Sequence, residues 1–188
     1  MNKFKIWANI PRVLPHILCY ILYKSKRQTI NKDILARPQY QGKLQDKRYL
    51  VWELCCTLID EAEFRNLFYM RIGATRHILN FLLPKISSMR LSPNIAEGFC
   101  PIHSYSTIIN GAAKIGRNCT IYHCVTIAVE KTGVPTIGDN VKIGAGAIIM
   151  GGIKIGNNVN IGAGAIVVED VPDNSTVVCP KGRIISRS

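Results

Sequence analysis

Four histidines stand in the chain, His16, His77, His103 and His123. An imidazole titrates near pH ~6.5, so at neutral pH it can accept a hydroxyl proton and later return it. His103, in the run PIHSYSTIING, stands just before a regular sixfold rhythm begins, and its imidazole is chemically suited to such proton transfer. Glu97, one repeat earlier, is a candidate to orient that ring. His123, about one turn later, is a candidate to line the same groove. His16 and His77 lie outside the rhythmic region and no histidine pair has the local spacing of a metal site, so no metal ligand is assigned.

The rhythm defines what must position these groups. An isoleucine or valine falls every sixth residue at Ile109, Ile115, Ile121 and Ile127, then at Ile137, Ile143, Ile149, Ile155, Ile161 and Val167. Four residues past these positions stand small or apolar side chains: Ala113, Cys119, Val125, Val141, Ala147, Ile153, Val159, Ala165 and Val171. Gly and Asn fill the steps between. Such hexapeptide units describe a parallel β-helix, each unit forming one side of a triangular prism with its Ile or Val inward and Gly or Asn at the corners. Three units close a turn, and stacked turns pair at about 4.8 Å. The general rule for parallel crossovers predicts right-handed connections.

The stretches AAKIGRNCTIYHCVTI and PTIGDNVKIGAGAIIMGGIKIGNNVNIGAGAIVVEDVPDNSTVV resemble the hexapeptide acyltransferases, most closely the serine acetyltransferase branch, over roughly Leu91 to Ile185. The resemblance implies a left-handed parallel β-helix preceded by a small α-helical subdomain, a homotrimer with the active site between subunits, and acetyl-CoA as co-substrate. It implies that His103 deprotonates an acceptor hydroxyl, whose oxygen attacks the thioester carbonyl while backbone N–H groups hold the oxyanion. It also implies that the pantetheine arm runs past Gly144, Ala145, Gly162 and Ala163 in the two IGAGA units, residues whose spacing equally suits plain corner geometry. Lys181 and Arg183, in the run CPKGR, are placed to meet a phosphate of the co-substrate.

The chain departs from that branch at several points. Ile102 stands where the family has an Asp before the catalytic His. The interruption AVEKTGVPT is only four residues longer than a normal repeat and carries Val134 where the family has an Arg-His pair. Val168-Glu169 replace a Thr-Lys, and the family's helical part is longer. L-serine is the first-choice acceptor. The lost Asp, the short loop and the basic amino terminus favour an alternative, a sugar or surface-polysaccharide hydroxyl. Arg90 and Lys131 are the remaining candidates to meet a serine carboxylate.

Three segments follow from composition and periodicity: a basic amino-terminal arm with a short apolar helix over 1–48, a helical subdomain over 49–90, and the β-helix with a carboxy-terminal tail over 91–188. Of 188 residues 47% are hydrophobic, enough to bury a core. Residues 1–48 hold eleven Lys or Arg against Asp33 and Asp46, so nine of the twelve net positive charges lie there. No nucleic-acid motif accompanies them. The apolar run Val13 to Tyr23 is about half the ~20 residues of a membrane span. Followed by Lys24, Lys26 and Arg27, it is compatible with a helix lying on a membrane surface or packed within the protein. In the helical subdomain, Leu50, Leu54, Leu58, Phe64, Leu67, Phe68, Ile78, Leu79 and Leu82 recur at helical intervals. Seven cysteines in an odd set without CxxC spacing point to reduced thiols and a cytoplasmic protein with, at most, peripheral membrane contact.

Two other function classes fit such a prism. A zinc hydratase resembling the γ-class carbonic anhydrases needs three His ligands, which the coils lack. A non-catalytic scaffold requires only the repeat, and predicts that His103 can be replaced without loss of acyl transfer.

Overall fold

The computed structural model describes residues 3–38 and 49–180. Lys43, Lys47 and Arg48 of the basic segment lie outside them. Among the described residues five α-helices precede twelve short strands. The helices are α1 (Lys3–Leu22), α2 (Lys24–Leu35), α3 (Leu50–Asp60), α4 (Ala62–Ile72) and α5 (Arg76–Leu82). The strands β1 (Cys100–Pro101), β2 (Ile108–Ile109), β3 (Lys114–Ile115), β4 (Thr120–Ile121), β5 (Thr126–Ala128), β6 (Thr136–Ile137), β7 (Lys142–Ile143), β8 (Ile148–Met150), β9 (Lys154–Ile155), β10 (Asn160–Ile161), β11 (Ile166–Val167) and β12 (Thr176–Val177) make up the prism.

Every pairing between these strands is parallel, and the strands sort into three sheets in the orders β1-β4-β7-β10-β12, β2-β5-β8-β11 and β3-β6-β9. This is a parallel β-solenoid of about four turns. Strands of two or three residues are too short to hold a sheet alone; the interior column supplies the stability. All ten periodic Ile/Val positions are buried, and so are the small residues four places on, from Ala113 to Ala165. The solenoid begins slightly before its first strand, with an isolated bridge from Arg90 to Ile108.

One corner is built on asparagine. Asn118, Asn140, Asn158 and Asn174 take φ values of 56, 59, 56 and 59°, a left-handed conformation that asparagine tolerates better than most residues. Their side-chain amides donate down the stack at 3.2, 3.0 and 3.0 Å. The last turn departs from the sixfold expectation. Val171 bridges Ile155 and Thr176 pairs with Asn160, each 16 residues apart. Val171, four residues past Val167, therefore pairs with the inward position Ile155, because this coil is two residues shorter than an eighteen-residue turn.

The described helices on both sides of residues 39–48 pack against one another. α1 packs against α2, α3 and α5, and α2 against α3 and α4. α1 is longer than the apolar run predicts and continues through Pro11 and Pro15. Its buried side, Ile6, Val13, His16 and Tyr20, explains why the helix persists where two backbone donors are missing. His16 is fully buried, with Nε2 2.8 Å from the Tyr69 hydroxyl, which itself donates to the Leu83 carbonyl at 2.6 Å. Burial lowers the His16 pKa from 6.5 to about 4.

A buried ion pair ties this unit to the first coil. Arg71 Nε lies 2.9 Å from Asp33 Oδ2, and the same guanidinium donates to the carbonyls of Ile95 and Ala96 at 2.5 and 2.6 Å. Asp33 Oδ1 also accepts the Phe99 N–H at 3.1 Å. Burial pushes the Asp33 carboxyl above its ordinary pKa, against the pull of Arg71. One apolar core runs from Ile6 in α1 to Val167 in β11.

Candidate active site

His103 occupies the corner between β1 and β2, and that corner is enlarged. Pro101 pairs with Ile121, 20 residues on, but Ile108 pairs with Thr126, 18 residues on, so the chain gains two residues here. The extra length places His103 at φ 47° and Ser106 at φ 54°. Two buried hydroxyls hold the bulge: Ser104 Oγ donates to the Ile121 carbonyl at 3.0 Å and Thr107 Oγ1 to that of Tyr122 at 3.1 Å. Tyr105 N–H donates to the His103 carbonyl at 2.8 Å. The backbone is fixed while the imidazole is exposed.

The imidazole borders a pocket of about 380 Å³. Ile102, His103 and Tyr105 come from the corner, Arg37 and Pro38 follow α2, and Asp60, Glu61 and Glu63 come from the junction of α3 and α4. Arg37 is buried, forms an ion pair with Glu61, and stacks 5.2 Å from the Phe64 ring centre. Glu63 is buried as well, whereas Asp60 is exposed. Among the described residues that line the pocket three are acidic and two, Arg37 and His103, are basic or titratable bases, a lining that can accept hydrogen bonds from an ammonium group or from hydroxyls. None of Arg37, Asp60, Glu61 and Glu63 emerged from motif spacing. The available signal was density: three of the chain's twelve acidic residues fall within four positions at a break in helical periodicity.

Below His103 the same prism edge carries the other candidates. Cys124 N–H donates to the Tyr105 carbonyl, Gly146 N–H to that of His123, and Gly164 N–H to that of Ala145. These bonds stack Tyr105, His123, Ala145 and Ala163 in one column down the edge, with His103 just above it. Beside it, Gly144 N–H bonds the Ile161 carbonyl and Gly162 N–H that of Val177, both at 2.8 Å. A Cβ on Gly144 would lie 2.5 Å from the Ala163 nitrogen, so coil stacking itself demands glycine there. Beyond Tyr105 and His123 the column is consequently low in relief, continuing as the methyls of Ala145 and Ala163. That shape accepts an extended, unbranched arm lying against backbone.

Glu97 goes elsewhere. It is on the asparagine corner, where its carboxylate lies 2.5 Å from Lys32 Nζ in a separate groove shared with Arg117 and Asp139. It is too occupied, and on the wrong corner, to orient His103. Arg90 lines another pocket with Asn66 and Met89, and Lys131 sits at the tip of a tight hairpin closed by mutual Glu130–Gly133 backbone bonds of 2.9 Å. Val134 packs against the core. Lys181 and Arg183 lie outside the described residues. Among the described residues no cluster of three His, Cys, Asp or Glu could hold a metal ion, and no helix is long and apolar enough to cross a membrane. All seven cysteines are free of disulfides.

Comparison with known proteins follows the same outline. The family described as Bacterial transferase hexapeptide (six repeats) matches residues 135–168. A serine acetyltransferase of Synechococcus elongatus is 36% identical over 128 residues, covering 65% of this chain and 52% of that protein, so the chain spans about half its length. The WcaB protein of Escherichia coli K12, assigned to colanic acid biosynthesis as an acetyltransferase, is 32% identical over 160 residues, covering 75% of this chain and 97% of WcaB. The crystal structure of Neisseria gonorrhoeae serine acetyltransferase in complex with serine superposes with a TM-score of 0.65 at 24% identity, over 89% of this chain and 72% of that one, which establishes a shared fold.

Proposed function

The chain belongs to the hexapeptide-repeat acetyltransferases, and on that premise we propose that it transfers acetyl from acetyl-CoA to an acceptor hydroxyl, with L-serine as the first-choice acceptor. The observation that carries this reading is the placement of His103 where two features meet: the carboxylate-lined pocket beside it and the smooth edge below it. In this reading the pocket takes the acceptor and the edge takes the pantetheine arm along Gly144, Ala145, Gly162 and Ala163. His103 receives the hydroxyl proton as the oxygen attacks the thioester carbonyl, then delivers it to the departing thiolate. Separate grooves for the two substrates, meeting at one base, suit direct transfer.

Serine needs partners for two charges. Glu63 is the carboxylate proposed to meet its ammonium group, and Arg37 is the described cation nearest to a role toward its carboxylate, replacing the contacts that Ile102 and Val134 lack. A second reading, a sugar or polysaccharide hydroxyl, is favoured by the similarity that extends over 97% of WcaB, and by carboxylates that can equally accept hydrogen bonds from sugar hydroxyls. Measuring kcat/KM for L-serine beside a panel of monosaccharides separates them. Saturation by L-serine at the highest kcat/KM supports the first reading; turnover confined to sugars replaces it with the second.

The active unit is proposed to be a trimer. A single prism leaves the His103 edge as an open groove, and the adjacent β2-β5-β8-β11 sheet carries Ile108, Ile148 and Ile166 outward in register, with Ile108 and Ile166 exposed. Three identical prisms packed through such a face would close three equivalent grooves.

A further inference from the structure

We propose that the outer face of the helical unit docks onto the anionic surface of a lipid bilayer. α1 leaves Trp7, Leu14, Leu18 and Ile21 exposed, Trp7 at 69%. At about 100° per residue these four share one stripe of the helix, about 120° around it from the buried Ile6, Val13, His16 and Tyr20. α5 packs against α1, with Arg12 Nε donating to the Leu82 carbonyl at 2.8 Å, and exposes Ile78 at 74% and Phe81 at 86%. Six large apolar side chains thus face solvent on two adjacent helices. Water alone does not favour such a surface.

Charge identifies the occupant. Neither residues 1–32 nor residues 64–96, the two stretches that supply this face, contain a single Asp or Glu. Lys24 and Lys26 are exposed and follow directly on α1. Arg76 and Lys85 flank α5, sharing a small pocket with His77 and Asn80, and the Lys85 N–H is held to Asn80 Oδ1 at 3.0 Å. A twofold contact with another copy of this chain would bring these cations against themselves. Anionic headgroups complement them, while the apolar stripe enters the boundary below the headgroups, the geometry of a helix lying in the membrane plane. The proposal holds whichever hydroxyl accepts the acetyl group.

Flotation of the full chain with vesicles tests this. Vesicles containing phosphatidylglycerol should retain the protein, pure phosphatidylcholine vesicles should not, and raising the salt should weaken retention. The double variant Leu18→Asp/Phe81→Asp should lower the partition constant at least about tenfold, since each change removes a buried apolar side chain. Lys24→Glu/Lys26→Glu, which leaves every apolar group in place, should lower it by roughly tenfold as well. Circular dichroism and turnover in the absence of vesicles report whether each variant is folded. Equal retention on neutral and anionic vesicles, or none on either, overturns the proposal. Absence of wild-type binding together with dissociation of Leu18→Asp/Phe81→Asp into smaller species by sedimentation assigns the face to contact between copies instead.

Discussion

The buried histidine of the helical unit makes stability depend on pH with a calculable sign and size. His16 is lowered from 6.5 to about 4, chiefly by burial, so the folded chain keeps it neutral at pH values where the unfolded chain protonates it. The contribution of neutral His16 is complete above about pH 6.5, falls as the pH drops, and is exhausted below about pH 4. At pH 5 the unfolded chain gains about 2 kcal/mol from protonation while the native state gains almost nothing, so unfolding should be easier by that amount than at pH 8. For a chain of this length the loss corresponds to a melting temperature roughly 4–8 °C lower. Urea unfolding at both pH values and one fixed protein concentration measures it, with His16→Gln as the comparison. The substitution removes the titrating group but keeps a polar atom near Tyr69, so its stability should change less between pH 8 and pH 5. Parallel pH dependence in the two proteins would refute the argument.

Three further outcomes follow from the site. Replacing His103 with Ala should lower kcat by on the order of 10²-fold or more with the affinity for acetyl-CoA nearly intact, measured by thiol release and by calorimetric titration; unchanged turnover moves the chemistry elsewhere. Gly144→Ala forces a Cβ to within 2.5 Å of the Ala163 nitrogen, and the required shift between coils should cost about 1–3 kcal/mol in denaturant unfolding. Sedimentation equilibrium should report a trimer at working concentrations, and a monomer that still turns over acetyl-CoA would contradict the shared-groove arrangement.

The prism was legible in the sequence because its cause is local and repeated. An inward Ile every six residues and an Asn or Gly at the corners act within one coil, and stacking multiplies them. Where the repeat changes length the reading lost register: two added residues near His103 and two missing near Val171 show only when coils are paired. The helical unit was read at Leu50 to Leu82 from its apolar spacing, but α1 was read only over the apolar run Val13 to Tyr23, whereas tertiary packing sustains it from Lys3 through Pro11 and Pro15. Glu97 illustrates a different failure. One repeat is one side of the prism, so a residue six before His103 lies around a corner from it, and Lys32, 65 positions earlier in the chain, takes its carboxylate.

The acceptor pocket was hidden for the same reason in stronger form. His103 comes from the solenoid, while Asp60, Glu61 and Glu63 come from a helix junction about forty residues earlier and Arg37 from the end of α2. Tertiary contacts, the Asp33–Arg71 pair and the continuous apolar core among them, set these helices against the first coil, so no spacing rule within one motif could join them. The arrangement has a chemical consequence for the proposed acetyl transfer. Arg37 is paired to Glu61, and among the described residues Glu63 adds a second buried carboxylate to the lining beside His103. An acceptor that brings an ammonium group or neutral hydroxyls meets partners there, whereas one that brings only a carboxylate or phosphate meets repulsion in a partly desolvated site. In the proposed reaction the helical unit would act on the chemistry of the solenoid by selecting the charge of the acceptor, and the solenoid would supply the base, His103, and the edge along which the acetyl donor lies.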